Sequence, residues 1–489
     1  MSSNSSGALT ELAALGNQNA FLDINPEKTF FAQSYRRHTN FAIAEQDITL
    51  DNAPSGTWRS RKVTARVPRN GDLLGWCYFS CILEALGLHD AGNPTDLTDE
   101  VFWGGVGNLP GTIEKARQDT RIFWCNAVGH AMIDEVSFEV GSQVVDKWTG
   151  EFLQIWERYT GQPGKPLKEM IGQFDSEEDL RDFSALDRRL YVPLPFYFAR
   201  AYALHKPLIA LQYHETKISV TLVARDDLIV RFRGGSDDAE RDNVMDISWV
   251  SGGTMADAAI TANYVYLDTM ERRVFAQQPH EYLITQLQFH GSESVPAGTS
   301  SKQVQVHFNH PVLELFWVYQ EDEQRTAGQG YRYFNYGVEL GAFLDHQDPD
   351  NSVIPLVDPI STVSLQLNGH DRIATREALY FRTVQPWERH TNVPDRFIYN
   401  YCFSLYPEED WAPNGALNMS RIDNVVFRFA FVNIGGGNST GLMNAGTVRI
   451  YARSHNVVKI AKLTGEKNIP DCLKLHIETV TNGLASCAA

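Results

Sequence analysis

Cysteine is scarce in this chain, and its spacing shows no pairing pattern. The 489 residues contain six cysteines and no Cys-x-x-Cys motif. Most of the six lie in apolar segments, a context that favours buried free thiols over disulfides. They are Cys77, Cys81, Cys125, Cys402, Cys472 and Cys487.

Long apolar runs and an excess of positive charge are also missing. No run approaches the roughly 18 apolar residues that mark a transmembrane helix. The N-terminus has no basic segment followed by an apolar one, so we expect no secretory signal. Lys and Arg total 43 against 60 Asp and Glu, for a formal net charge of −17. A surface that wraps nucleic acid needs clustered Lys and Arg, so we expect no direct nucleic-acid binding.

The length and the residue pattern indicate two all-β domains. A chain of 489 residues is longer than a single hydrophobic core usually serves. Many segments alternate apolar and polar residues, and aromatic residues make up 11% of the chain; both features are typical of sheets. The stretch from Arg189 to Glu215 predicts two strands, at 190–198 and 208–214, because its prolines stand near the strand starts.

The second half of the chain repeats the pattern of the first. Residues 62–83 predict two strands around a tight turn, in which Asn70-Gly71 would supply the positive φ of a hairpin. Residues 302–320 match residues 62–81 in length, central turn and aromatic ending. A predicted hairpin at 134–146 matches 363–373, and both precede a helical pattern, which in the first half spans 151–160.

The remaining segments complete the same order. Residues 29–50 predict an opening strand pair, and 269–279 predict a short helix that Pro279 ends. About eight strands per half predict two tandem eight-stranded jelly-roll β-sandwiches with short helices and long loops. The predicted organisation is an N-terminal arm at 1–24, a first jelly roll at 25–268, a linker at 269–280 and a second jelly roll at 281–489.

Motifs that mark catalytic or cofactor sites are missing from the sequence. It contains no His-x-His, HExxH or GxSxG, and residues 161–166 lack the first glycine and the hydroxyl residue of a phosphate loop. His307 and His310 have a spacing that does not put both rings on one face of a strand. We therefore predict no catalytic residues, no cofactor and no metal site. Basic pairs such as Arg188-Arg189 and Arg272-Arg273 are interpreted as surface or inter-subunit ion-pair residues.

Two other functions stay open at this point. A sugar-binding attachment protein would use exposed aromatic side chains in loops to stack on glycans. The candidates are Trp103, Trp148, Trp411, Tyr331 and Tyr333. A jelly-roll enzyme is the third hypothesis, and the lack of a metal-binding triad argues against it.

Several blocks of sequence resemble one family. They are the 36-residue block that begins GALTELAALG at Gly7, PRNGDL at 68–73, LYVPLPFYFAR with PLIALQYHETKI at 190–218, NYVYLDTMERRVFAQQPHEYLITQLQ at 263–288, LQLNGHDRI at 365–373 and NGALNMSRIDN at 414–424. In this order they resemble the major capsid proteins of large icosahedral eukaryotic DNA viruses, including phycodnaviruses, iridoviruses and giant viruses. The resemblance spans nearly the whole chain.

The resemblance implies a structural role in a virion shell and no catalysis. It implies two jelly rolls per chain and a homotrimer that forms a pseudo-hexagonal capsomer. Its partners would be neighbouring capsomers, minor capsid proteins and penton proteins, with an inner viral membrane nearby. The loops at 88–130, 161–188, 225–260 and 321–358 would form outward towers and clasps, and residues 1–24 would lie underneath. The protein would be made in the host cytoplasm and assembled in viral factories.

Overall fold

A computed structural model of the full chain provides the structure. It describes residues 5–23, 25–33, 35–54, 56–88, 121–141, 143–162, 164–174, 176–211, 214–232, 250–322, 333–334, 336–339, 356–410, 412–432 and 445–460. Residues 1–40 form a unit of their own, which holds helix α1 (Ser5–Ala13) and a 3-10 turn at Asn17–Phe21. The sheets belong to the second unit, which begins at Phe41.

The first half of the second unit is an antiparallel sandwich, here called lobe 1. Its eight principal strands are β1 (Phe41–Asp51), β2 (Arg61–Arg66), β3 (Leu73–Leu83), β4 (Ile133–Val140), β5 (Gln143–Thr149), β6 (Arg188–Leu194), β7 (Thr216–Leu222) and β8 (Met255–Leu267). One layer has the order β1-β8-β3-β6 and the other has the order β2-β7-β4-β5. The end of β1 also pairs with β2, which joins the two layers at one edge.

The second half, here called lobe 2, repeats that arrangement strand for strand. Its strands are β9 (His280–Val295), β10 (Ser301–Val306), β11 (Pro311–Glu321), β12 (Ile360–Leu367), β13 (His370–Glu377), β14 (Ile398–Cys402), β15 (Val425–Phe431) and β16 (Gly446–Ile460). The layers have the orders β9-β16-β11-β14 and β10-β15-β12-β13. Each strand of lobe 2 therefore occupies the place of the strand eight positions earlier, which confirms the predicted pair of jelly rolls.

Helices and short strands connect these layers. The longer helices are α2 (Gly150–Thr160), α3 (Glu177–Ser184), α4 (Thr269–Gln277) and α5 (Gln385–Arg389), the last preceded by a π-helical turn at Tyr380–Val384. Single helical turns occupy Val128–Ala131, Lys168–Ile171, Tyr197–Arg200, Tyr202–Leu204, Leu208–Ala210, Arg225–Leu228 and Met419–Arg421. Short strands occupy Leu86–Leu88, Arg121–Trp124, Lys206–Pro207, Ile229–Phe232, Val250–Gly252, Val338–Glu339, Leu356–Val357 and Leu417–Asn418. The predicted helices at 151–160 and 269–279 are confirmed.

The strand pair predicted between Arg189 and Glu215 is wrong in its second member. Strand β6 ends at Leu194, and the helical turn Tyr197–Arg200 follows it directly. The segment predicted as a strand at 208–214 begins with the 3-10 turn Leu208–Ala210. Aromatic and aliphatic density indicated burial correctly, since Phe196, Phe198 and Leu208 are buried. It did not indicate backbone conformation, because short buried turns and buried strands have similar compositions.

The hairpin predicted at Asn70-Gly71 is also wrong. Strands β2 and β3 lie in different layers, and neither residue has a positive φ. Gly71 is needed for steric reasons, because a Cβ at this position would lie only 2.7 Å from the Cβ of Tyr264. The same dipeptide does make a tight hairpin at Asn368-Gly369, where φ is 49° and 83° and Leu367 pairs with His370. That geometry is the type I′ turn that Asn-Gly favours.

The opening strand pair predicted at 29–50 reduces to one strand, which begins at Phe41. Phe30 and Phe31, on which that prediction depended, lie before this strand in the unit of residues 1–40. From Phe41 onwards, one continuous set of buried apolar side chains runs through both lobes. Among the described residues, no helix has the length and apolar character that crossing a membrane requires.

Candidate functional site

The two central strands of a lobe 2 sheet, β11 and β16, are covered on both faces. Phe316 of β11 pairs with Tyr451 of β16, and both rings contact Phe152 of lobe 1, with centroids 5.3 and 5.2 Å away. The next residue of β11, Trp317, points to the opposite face and packs 5.4 Å from Phe427 in the other layer of lobe 2. One face of this sheet therefore forms the core of lobe 2, and the other forms a junction with lobe 1.

Helix α2 supplies the lobe 1 side of this junction. It follows β5 directly, and the Thr149 side chain caps it by accepting a hydrogen bond from the Phe152 amide at 3.2 Å. The helix is buried around most of its circumference, whereas a surface helix would have one polar face. Its last buried side chain, Tyr159, donates a hydrogen bond to the carbonyl of Ile398 in lobe 2 at 3.2 Å. The helix thus belongs to one lobe by sequence and to both by packing.

A buried charged group at the start of α2 joins the lobes. Arg449 of β16 contacts Glu151 of α2, with Nη1 2.5 Å from Oε1, and it also donates to Oε1 of Gln320 at 3.0 Å. The hydroxyl of Tyr451 donates to the second oxygen of Glu151 at 2.5 Å. Both charged side chains are 7% exposed. Removal of either charge would leave the other in a region of low dielectric without its partner.

A second charged group is centred on Arg453, one further step along the same face of β16. Its Nη1 lies 2.5 Å from Oε1 of Glu314, and its Nη2 lies 2.9 Å from Oδ1 of Asp410. The guanidinium stacks over the ring of Trp156 in α2, 3.9 Å from the centroid. Arg200 of lobe 1 contacts the other oxygen of Asp410 at 2.9 Å. This group therefore also spans the two lobes.

His390 extends the second group deeper into lobe 2. Its Nε2 lies 3.0 Å from Oε2 of Glu314, and its Nδ1 lies 3.1 Å from Oε1 of Glu408. The thiol of Cys402 lies 3.6 Å from Nε2. The imidazole ring packs against Tyr159 of α2 with a centroid distance of 4.7 Å. The two charged groups together are called the charged network. They contain four carboxylates (Glu151, Glu314, Glu408 and Asp410) and four basic side chains (Arg200, His390, Arg449 and Arg453).

Burial and neighbouring charges act in opposite directions within this network. Burial alone would raise the pKa of Glu314, but His390 and Arg453 hold it at about 2. Burial would lower the pKa of His390, yet Glu314 and the other hydrogen-bond partners keep it well above the usual value, so the imidazole is positively charged. Burial raises the pKa of Cys402 to about 11. The thiol is therefore protonated at neutral pH, and this thiol–imidazole pair is not an activated nucleophile.

The outer surface of the described chain carries large exposed apolar side chains. Trp387 on α5 is 77% exposed, Tyr202 in lobe 1 is 78% exposed, and Met270 on α4 is 68% exposed. Single exposed apolar residues are ordinary on a monomer, but exposed aromatic residues such as Trp and Tyr are enriched where another protein binds. These residues are candidates for contacts between chains.

The sugar-stacking candidates that lie within the described residues are buried. Trp148 and Tyr333 are 1% and 7% exposed, so their predicted exposure is wrong. Trp103, Trp411 and Tyr331 lie outside the described residues. The loss of two of the five candidates weakens the sugar-binding hypothesis.

One arginine of each of the pairs Arg188-Arg189 and Arg272-Arg273 takes part in an ion pair within the chain. Arg189 contacts Asp257, and Arg272 contacts Asp72 at 2.9 Å. Their interpretation as ion-pair residues is confirmed for these two arginines. The four cysteines in the described part of the chain, Cys77, Cys81, Cys125 and Cys402, are buried free thiols, as predicted.

Sequence reasoning missed the charged network at the junction. Its members come from distant elements, and no spacing motif connects residues as far apart as Glu151 and Arg453. One signal was present: Glu314 interrupts the apolar run of β11, and Arg449 and Arg453 interrupt that of β16. A charge inside a fully buried strand requires a buried partner, so these positions marked a contact with another layer.

Comparison with known proteins identifies the family. A family model described as "Major capsid protein N-terminus" matches residues 29–268, and one described as "Large eukaryotic DNA virus major capsid protein" matches residues 271–465. The chain belongs to this family. The major capsid protein of Pyramimonas orientalis virus is 31% identical over 480 residues, which cover 93% of this chain and 97% of that protein.

One further sequence relative and one solved structure support the same family. The major capsid protein of Paramecium bursaria Chlorella virus 1 is 30% identical, with 93% of this chain and 97% of that protein covered. A quasi-atomic model of the PBCV-1 virus capsid superimposes with a TM-score of 0.63 at 25% identity, covering 88% of this chain and 97% of the matched chain. The chain is therefore a structural component of the capsid of a large icosahedral DNA virus. The double jelly roll of the structure is the fold of that family.

Proposed function

We propose that three copies of this chain form a pseudo-hexagonal capsomer that tiles the outer shell of the virion. The observation that carries the proposal is the repeated strand order, β1-β8-β3-β6 and β9-β16-β11-β14, in two lobes joined by a buried junction. Three chains with two equivalent sandwiches each give six units around a threefold axis, a shape that packs on a hexagonal lattice. Exposed apolar residues such as Trp387 and Tyr202 suit contacts between the copies.

The proposed domain organisation is the one that the sequence predicts. Residues 25–268 form the first jelly roll, 269–280 the linker and 281–489 the second jelly roll. Helix α4 occupies most of that linker. Residues 1–24 are proposed as an arm that orders against another protein, since Leu9, Leu12, Phe21 and Leu22 are exposed by 64% or more. Exposed apolar side chains of this size favour a partner that covers them.

The protein is proposed to act without catalysis, cofactor or direct nucleic-acid contact. Its partners are neighbouring capsomers, minor capsid and penton proteins, and it lies near an inner viral membrane. Synthesis takes place in the host cytoplasm and assembly in viral factories. The net charge of −17 supports the lack of a nucleic-acid surface, because like charges repel.

The test is the oligomeric state of the recombinant chain. Light scattering after size-exclusion chromatography should give about 165 kDa, three chains of 55.1 kDa each. Negative-stain images should show hexagonal outlines. A stable monomer that binds glycans on an array would overturn the proposal in favour of the attachment hypothesis.

A further inference from the structure

Three potential metal ligands converge in lobe 2 beside the junction. Oε2 of Glu314 lies 3.0 Å from Nε2 of His390, Sγ of Cys402 lies 3.6 Å from that nitrogen, and Sγ lies 3.7 Å from Oε2. The side chains of Glu314 and His390 are 0% exposed, and Cys402 is 9% exposed. Within the described part of the chain, no other group of three such residues converges in this way.

Two of these three separations match the edges of a zinc coordination tetrahedron. Zinc binds carboxylate oxygen and imidazole nitrogen at about 2.1 Å and thiolate sulfur at about 2.3 Å. A tetrahedral angle then places oxygen and nitrogen about 3.4 Å apart and puts sulfur about 3.6 Å from each of them. Two of the three edges agree within about 0.1 Å, and the third is short by about 0.4 Å. We propose that Glu314, His390 and Cys402 hold a structural Zn²⁺ ion.

The surroundings of these ligands resemble those of known zinc sites. A histidine ligand usually donates its second ring N–H to a carboxylate, which fixes the ring. Nδ1 of His390 has this partner in Glu408, which the amide of Thr391 in turn holds at 2.8 Å. The amide of Asn400 contacts two of the ligands, because its Nδ2 donates to Oε2 of Glu314 at 3.1 Å and its Oδ1 accepts from Sγ of Cys402 at 2.9 Å. Asn400 therefore orients both ligand side chains.

The donor set selects the metal. A carboxylate, an imidazole and a thiolate together suit zinc, whereas calcium and magnesium require oxygen ligands in larger numbers. The ion would connect β11, the segment after α5 and the end of β14. Because His390 packs on Tyr159, the same ion would brace the lobe 2 side of the junction. This inference departs from the sequence-based expectation of no metal, since the ligands have no motif spacing.

Cobalt substitution tests the proposal. The ligands are buried, so the metal should be supplied during folding, by expression in medium with Co²⁺ and purification without chelators. We expect about one cobalt per chain, visible bands of tetrahedral Co²⁺ and a thiolate-to-cobalt charge-transfer band in the near ultraviolet. Cys402→Ala should lose both signals, and Cys402→Ser replaces it where the alanine variant does not fold. Cys81→Ala, which removes another buried thiol, should keep them.

Metal analysis of zinc-grown wild-type protein gives the decisive outcome. About one zinc per chain, with a lower thermal unfolding temperature in protein folded under a zinc chelator, would support the site. Wild-type protein with less than roughly a tenth of a zinc per chain would overturn the proposal, and so would cobalt spectra that persist in the Cys402 variants. The trimer measured by light scattering is independent of this result, so failure here would leave the capsomer proposal standing.

Discussion

Replacing Arg449 by methionine should destabilise the protein by about 3–5 kcal/mol, because it leaves the buried carboxylate of Glu151 without its ionic partner. The pair is 7% exposed on both sides, and its atoms are 2.5 Å apart. Methionine retains most of the apolar stem of arginine, so the loss reflects charge more than volume. The Tyr451 hydroxyl still donates to Glu151, which places the expected value at the lower end, about 3 kcal/mol.

A matched surface variant and a double variant separate charge from packing. Arg66→Met removes an exposed arginine whose Nε lies 3.0 Å from Asp51, with side chains 65% and 52% exposed; this should cost no more than about 1 kcal/mol. Adding Glu151→Gln to Arg449→Met removes the orphaned charge and keeps an acceptor for Tyr451. The double variant should therefore recover about 2 kcal/mol relative to Arg449→Met alone.

Urea unfolding followed by tryptophan fluorescence, at one fixed protein concentration, measures these differences. A fixed concentration is needed because oligomerisation contributes to apparent stability. Equal shifts of the urea midpoint for Arg449→Met and Arg66→Met would refute the argument. A double variant less stable than either single variant would show that the group acts through packing rather than through charge.

Four further predictions concern the core, a close contact, a buried amine and a loop. Leu194→Asp puts a charge at a fully buried position and should abolish soluble trimer; wild-type yield on gel filtration would contradict the core assignment. Gly150→Ala should lower folded yield, since its Cβ would stand 1.9 Å from the Ile133 carbonyl oxygen, while Gly7→Ala, with nothing within 4 Å, should be neutral in the same thermal-melt assay. Burial lowers the pKa of Lys206 from 10.5 to about 7, so at this residue the unfolded chain binds more protons, and stability should rise with pH between about 7 and 8, below the pH at which thiols of the unfolded chain ionise; Lys206→Met should reduce that slope in urea titrations and be more stable at pH 7. Deletion of 236–242, a polar loop by sequence, should leave the trimer intact in light scattering, and a monomeric product would identify an inter-subunit clasp.

Periodicity and repetition in the sequence predicted most of the fold. The alternation of apolar and polar residues in segments such as Thr216–Leu222 and Val425–Phe431 is reproduced in their burial. The two halves that repeat in sequence form two lobes with the same strand order. Predictions failed where composition does not determine backbone geometry. Leu208 is buried in a 3-10 turn instead of a strand, and Gly71 satisfies a steric requirement set by Tyr264, which is distant in sequence.

The junction could not be predicted for a related reason. Glu151, Glu314 and Arg453 lie on three elements whose proximity depends on how the lobes dock. A local sequence pattern does not reveal that docking. The sequence did show that these charges stand within apolar segments. It could not show which charge met which, because pairing is a property of tertiary structure.

Helix α2 imposes an order on how the chain comes together. The helix is synthesised with lobe 1, whereas β16, which it contacts through Tyr451, is the last strand in the described part of the chain. Domains generally fold as they leave the ribosome. The apolar surface of α2 therefore stays uncovered until β16 of lobe 2 has been translated. A ribosome stalled between the lobes would release a product whose Phe152 and Trp156 lack their lobe 2 neighbours. Such truncated chains would expose apolar surface and would be prone to aggregate.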